Sequence, residues 1–292
     1  MLNKNKYLQL HFIVLLWGFT PVLGKLISLP ALDLVFWRLI FAGLSLAVFI
    51  IYKKFKFDLS IKETSIIFIM GILVGAHWYF FYHAIKVSNV SIAMAGFSTM
   101  TLFGSVLQPI LLKKKFFWGD AFYGVIILIG LAIILQFESG TIEGIFYGIL
   151  AAFTGAFFGI YNGKLILKHN SSYITIVEFI GALVFIIFIK LVINDNYFYL
   201  EPFKNYDMLW LLVLSILCTT LAFTLSVEIM KYFSPFTVII TNNLEPVYGV
   251  LFSVFLFGQS EIMSTQFYVG AIIILFCVFS YPFFKKKFDN EY

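Results

Sequence analysis

Apolar residues run along this chain in long, nearly unbroken stretches, and the polar positions between them are few and clustered. Ten such stretches are predicted as helices, at 7–26, 31–52, 63–85, 89–112, 117–136, 141–164, 171–193, 206–230, 235–257 and 262–284. A helix rises about 1.5 Å per residue, so ~20 apolar residues cross the ~30 Å hydrocarbon core of a bilayer. The pattern therefore predicts an all-α integral membrane protein with ten transmembrane helices. The connections are mostly short; the longest fall near 53–62 and 194–207.

The ten stretches form two sets of five, 7–136 and 141–284, that resemble each other in order. Trp17-Gly18 matches Phe158-Gly159, Ala84 falls with Ile229, Met100 with Pro246 and Gly124 with Gly270; Arg38 and Glu178 align at a similar offset. Five crossings leave the chain on the far side of the membrane, so the second five must run upside down. Two inverted five-helix repeats are a recurring construction of secondary transporters, with the substrate site where the halves meet. The chain reads as a carrier of a small-molecule substrate embedded in a lipid bilayer.

Composition strengthens this reading. Hydrophobic residues make up 61% of the 292 positions and charged residues only 12%, far from the balance of a soluble domain. The first apolar run follows Lys4 and Lys6 but is too long for a signal-peptide core and lacks a small-residue cleavage site, so it is kept as a span. With both termini on one side, that side collects fifteen of the twenty basic residues, including Lys53, Lys54, Lys113–Lys115, Lys164, Lys168, Lys231 and Lys285–Lys287. The other side has Lys25, Arg38, Lys86, Lys190 and Lys204. An excess of lysine marks the cytoplasmic face, which predicts a plasma-membrane protein with both termini inside. The basic tail reads as a headgroup-facing collar, not a nucleic-acid surface. Cys218 and Cys277 sit in apolar runs and read as small hydrophobes.

Polar side chains within a bilayer are costly and tend to face a cavity or one another. The substrate-binding candidates are Trp17, Thr20, His77, Trp78, Thr99, Asn242 and Glu245; the gating or coupling candidates are Arg38, Glu178 and Glu228. Glu245 stands out because it precedes Pro246 at mid-span and shares a helical face with Asn242 and Gly249, an arrangement read as a polar stripe beside a clear lane. It can take up a proton, bind an amino group or simply brace neighbouring helices. His77, Trp78, Phe81 and Tyr82 form one aromatic side. Arg38, the chain's one arginine, is expected just outward of the midplane, its planar fork holding Asp33, Glu138 or Glu143 at the outer mouth or binding a substrate carboxylate. Glu178 and Glu228 are expected toward the inner side as a polar gate; Tyr161 and Asn162 are peripheral. The glycines 144, 148, 155, 159 and 163, with Gly71 and Gly75, form small-residue ridges for close helix packing or sliding contact. No phosphate loop, metal-ligand spacing or nucleophile pattern appears, so no cofactor and no enzyme chemistry are implied.

Cys218-Thr219-Thr220, Ser234-Pro235-Phe236 and Leu244-Glu245-Pro246-Val247-Tyr248 resemble the second repeat of EamA-type permeases in the drug/metabolite transporter superfamily. Trp17-Gly18 with Lys25 and then Arg38 resembles the opening of the first repeat, and Gly124 and Gly270 match the glycine of each repeat's last span. The likeness covers 7–284; Met100 replaces a usual proline and Gln259 a usual glutamate. The resemblance implies a central cavity between inverted halves, alternating access, and export of amino acids or other small metabolites. Proton coupling through Glu245 is a second expectation. The competing readings are an integral-membrane enzyme acting on lipid headgroups and a channel.

Overall fold

The computed structural model describes residues 4–55, 59–113, 118–137, 142–193 and 206–289. Helices account for its regular structure, and the described residues include no strand. They are α1 (Lys4–Gly18), α2 (Thr20–Leu26), α3 (Ala31–Tyr52), α4 (Ile61–Val87), α5 (Val90–Phe97), α6 (Met100–Leu112), α7 (Trp118–Phe137), α8 (Ile142–Leu165), α9 (Ser171–Val192), α10 (Asp207–Ser215), α11 (Ala222–Ile229), α12 (Pro235–Asn242), α13 (Leu244–Phe257) and α14 (Thr265–Asp289). Eight helical stretches are long and apolar enough to cross a membrane: Asn5–Leu26, Ala31–Tyr52, Ile61–Val87, Val90–Leu112, Ile142–Leu165, Ser171–Val192, Asp207–Ile229 and Pro235–Glu261. The stretches expected at 117–136 and 262–284 also form helices, but their apolar parts, Phe122–Ile134 and Thr265–Cys277, are shorter.

Large apolar side chains cover the outer surface as well as the core. Phe255, Ile51, Phe276 and Leu251 lie on the outer surface, whereas Asp33, Arg38, Glu178, Lys190, Glu245 and Glu261 are buried inside. Only a hydrocarbon surrounding makes that arrangement favourable, and there each backbone polar group has to be satisfied within the helices.

Four of the long stretches are interrupted, each for a visible reason. Pro21 cannot donate to the carbonyl of Trp17, and the Thr20 hydroxyl takes its place at 2.8 Å, so the first stretch breaks between α1 and α2. Between α5 and α6 the Ser98 and Thr99 hydroxyls fold back onto the carbonyls of Ala95 (2.6 Å) and Gly96 (2.7 Å). Between α12 and α13 the Asn243 amide donates to the Ile240 carbonyl at 3.1 Å, just ahead of Pro246. From Ile216 to Leu221 a wider π turn joins α10 to α11.

The helix starts are sealed by side chains. Ser60 and Glu63 form a reciprocal cap on α4, Asn89 caps α5, Asn170 caps α9, and Ser234 caps α12 with Pro235 next. Glycine permits the closest crossings. A Cβ on Gly71 of α4 would lie 2.3 Å from the Glu178 carbonyl oxygen of α9, and one on Gly181 would lie 2.3 Å from that of Phe68. Gly96 and Gly148 bring α5 and α8 together in the same way, and Gly130 and Gly270 join α7 to α14. The main core lies among α1 to α6 and α8 to α12, while α7 and α14 share a smaller cluster around Ile127, Ile134, Phe267 and Ile274.

Candidate functional site

A chamber lies among the helices of the bundle. Its wall is built from α1 to α6, α8 and α11 to α13, with polar groups presented at the helix breaks. The helix interruption at Phe19 lets both Trp17 and Thr20 face the chamber. The Asn243 break does the same for Asn242 and Glu245. Trp17, Thr20, His77, Trp78, Asn242 and Glu245, expected as binding residues, all line the chamber.

Thr99 does not line it. Its hydroxyl bonds the Gly96 carbonyl, which turns the buried side chain into part of the backbone repair. Gly249 does not provide a clear lane either, since a Cβ there would meet Pro21 at 2.8 Å; it lets α13 pack on α2.

Arg38 is buried and lines the chamber, away from the acidic partners expected for it. Its Nε donates to Thr219 Oγ1 at 2.7 Å and its Nη1 to the Tyr82 hydroxyl at 2.9 Å. The guanidinium carbon lies 3.9 Å above the Trp78 ring, a cation–π contact. Of its proposed acidic partners, Asp33 instead accepts from Lys190 at 2.8 Å, both buried, and Glu143 stands 3.7 Å from His83. Glu138 lies outside the described residues. The reason is geometric: Asp33 and Arg38 are five residues apart on α3, so they point to different sides of it.

Glu245 has one polar neighbour in bonding range, the Thr20 hydroxyl at 3.3 Å. His77 Nδ1 bonds the Ala151 carbonyl at 2.8 Å, which places its proton there and fixes the ring among Phe81, Phe97 and Phe158. Trp78 is wedged against Phe179 and Phe223. Trp17 Nε1 donates to the Cys218 carbonyl at 3.1 Å, one of the groups loosened by the π turn.

Glu178 and Glu228 do not form one gate. Glu178 is fully buried behind Asn162, whose amide donates to it at 3.3 Å, whereas half-buried Glu228 pairs with Lys231 at 2.7 Å. Asn162, expected at the periphery, lines the chamber and is the link between it and Glu178. The glycine ridge of α8 also divides. A Cβ at 144, 148, 155 or 163 would meet a neighbouring helix, but one at Gly159 would meet open space in the chamber.

Sequence reasoning passed over Thr219 and Ser226 as site residues, though both touch the working groups: Thr219 holds Arg38 and Ser226 lines the chamber. Thr220 and Thr224 lie between them in the chain, so the polar positions of this stretch alone did not single them out.

The chamber reaches from Glu245 down to Met230, next to Lys231. At the other end the bundle is tied by Lys25 to Glu261 (2.7 Å), by Ser28 to Asp207, and by Lys86 to the Ile27 carbonyl. Chemically the site offers one guanidinium and one carboxyl group within an aromatic wall, an arrangement suited to binding.

Residues 6–136 and 142–281 each match the EamA-like transporter family, giving two copies of that unit across the chain. A solved crystal structure is similar over 98% of this chain and 99% of its own, with a TM-score of 0.69 at 13% identity; that likeness is one of fold alone. No curated protein matches by sequence.

Proposed function

The chain belongs to the EamA-like transporter family, a multi-pass membrane transporter of the drug/metabolite transporter superfamily, and from that premise we propose that it exports a small amphiphilic metabolite, an amino acid being the best chemical fit. The single observation that carries this reading is the placing of Arg38 and Glu245 in one aromatic-lined chamber. A zwitterion brings a carboxylate for the first and an ammonium for the second, and an apolar side chain finds Trp78, Phe158 and Phe223.

Ten spans in two inverted halves, 7–136 and 141–284, give the topology that this mechanism needs, with α7 and α14 as the fifth crossing of each half. The lysine bias supports a plasma-membrane setting with both termini inside. In that orientation the chamber faces the cytoplasm and the Lys25–Glu261 end is closed, the loading state of an exporter. Alternating access then consists of separating the tied end while the helices around Met230 close. Glu245 also serves as the site of proton exchange in a coupled cycle, giving its proton to water as the chamber opens and leaving a carboxylate to pair with a solute ammonium.

The test is a metabolite comparison of cells with and without the protein, followed by counterflow into proteoliposomes. A carrier gives saturable uptake accelerated by solute on the far side; a channel gives unsaturable flux without counterflow. Unchanged pH dependence in Glu245→Gln would remove the proton step alone.

A further inference from the structure

We infer that Thr219, presented by the π turn, is a positioning residue that aims Arg38 at a planar carboxylate, so that the transported solute is a carboxylic acid and not its neutral counterpart. The inference rests on the carrier reading above and deepens it.

Thr219 is fully buried, and its single hydroxyl proton is committed to the Leu214 carbonyl five residues back, at 2.7 Å. In an ordinary α turn a threonine hydroxyl folds onto the carbonyl three or four residues back. The extra residue in the Ile216–Leu221 turn moves that acceptor to the fifth position and swings the hydroxyl oxygen toward α3. With its proton spent, the oxygen can only accept, and what it accepts is Arg38 Nε–H. Tyr82 holds Nη1, and the Trp78 ring closes the flat face of the guanidinium.

A guanidinium has five N–H donors. Two are taken by Thr219 and Tyr82, which leaves one on Nη1 and both on Nη2 in a group that lines the chamber. Donors on two adjacent nitrogens of a fixed plane match the two oxygens of a carboxylate, and a carboxamide offers only one acceptor oxygen. The π turn therefore sets selectivity from behind the arginine, without touching the solute. Its neighbour Thr220 anchors the same turn to α3 through the Ala42 carbonyl (3.0 Å) and Ser45 (2.7 Å), so the register between Thr219 and Arg38 is fixed.

The experiment uses the full protein in lipid nanodiscs or proteoliposomes, with L-leucine, L-phenylalanine and 4-methylpentanoate as probes, each beside its amide. Wild type is expected to favour at least one acid over its amide by about tenfold or more, as for a site built around a charged donor. Thr219→Val, which keeps the shape and removes the hydroxyl, is expected to raise KM for that acid about tenfold with kcat retained, bringing acid and amide within about threefold. Thr219→Ser keeps the hydroxyl and is expected to keep the preference. A residue of merely structural importance would depress acid and amide together. The inference is overturned if Thr219→Val preserves the acid-to-amide ratio, if wild type shows no acid preference, or if wild type binds none of the acids. Failure of the carrier reading is recognised separately, by the absence of saturable counterflow for any solute in wild type.

Discussion

Glu261 and Glu245 are both buried acids on the same membrane-crossing stretch, yet the structure treats them in opposite ways. Glu261 closes a turn that starts at Gly258, where φ is +57°, and uses nearly all its bonding capacity. Lys25 donates to it at 2.7 Å, the amides of Val90 and Ser91 at 3.2 and 3.0 Å, and the Ser91 hydroxyl at 3.1 Å. It neutralises a cation and caps α5 at once. Glu245 has Thr20 at 3.3 Å and open chamber beyond. Burying a carboxylate is costly in either place. At Glu261 the cost is offset within the fold; at Glu245 bonding capacity is left over on the chamber side, which is what the proposed role in binding uses.

The comparison can be broken at its strongest point first. Glu261→Ala strands a lysine and two helix amides, so we expect a loss of about 3 kcal/mol, at the low end for a buried pair because Lys25 keeps some exposure. Thermal unfolding in detergent reads this, and the same change in a Lys25→Ala background should cost clearly less. Glu245→Gln is expected to leave stability within about 1 kcal/mol, yet to lower counterflow at least tenfold. Equal destabilisation by the two changes would erase the distinction. Arg38→Lys should raise KM by about tenfold, because an ammonium cannot span Thr219, Tyr82 and a bidentate solute together. The smallest effect belongs to Gly159→Ala. With open space at the added Cβ, it should stabilise α8 by about 0.5–1 kcal/mol while weakening solute affinity a few-fold, opposite signs that a packing glycine would not show.

Much of this arrangement was legible in the chain, and the exceptions have a common cause. Helical stretches follow from hydropathy alone, since a bilayer admits little else. Trp17, His77 and Glu245 stand out in the chain because polar groups at mid-span are rare, and all three line the chamber. Apolar length could not say how α7 and α14 pack or where their polar ends begin. Thr99 and the acidic partners expected for Arg38 fall elsewhere because linear position gives depth but not rotation about the helix axis. Thr99 turned inward to repair a break, and Arg38 was drawn to Thr219, 181 positions away in sequence. At the break between α5 and α6 each hydroxyl takes its own carbonyl, Ser98 that of Ala95 and Thr99 that of Gly96.

The central claim is that one mid-membrane chamber is exposed to the two sides in turn. Its most direct test is the reactivity of a Ser226→Cys variant, in a background with Cys218 and Cys277 replaced, toward a small membrane-impermeant thiol reagent applied from either face of oriented vesicles. We predict fast modification from the side bearing Lys164 and Lys231, slower modification from the other, and a shift in both rates when transported solute is added. Modification from neither side, or rates that solute leaves unchanged, would contradict the account.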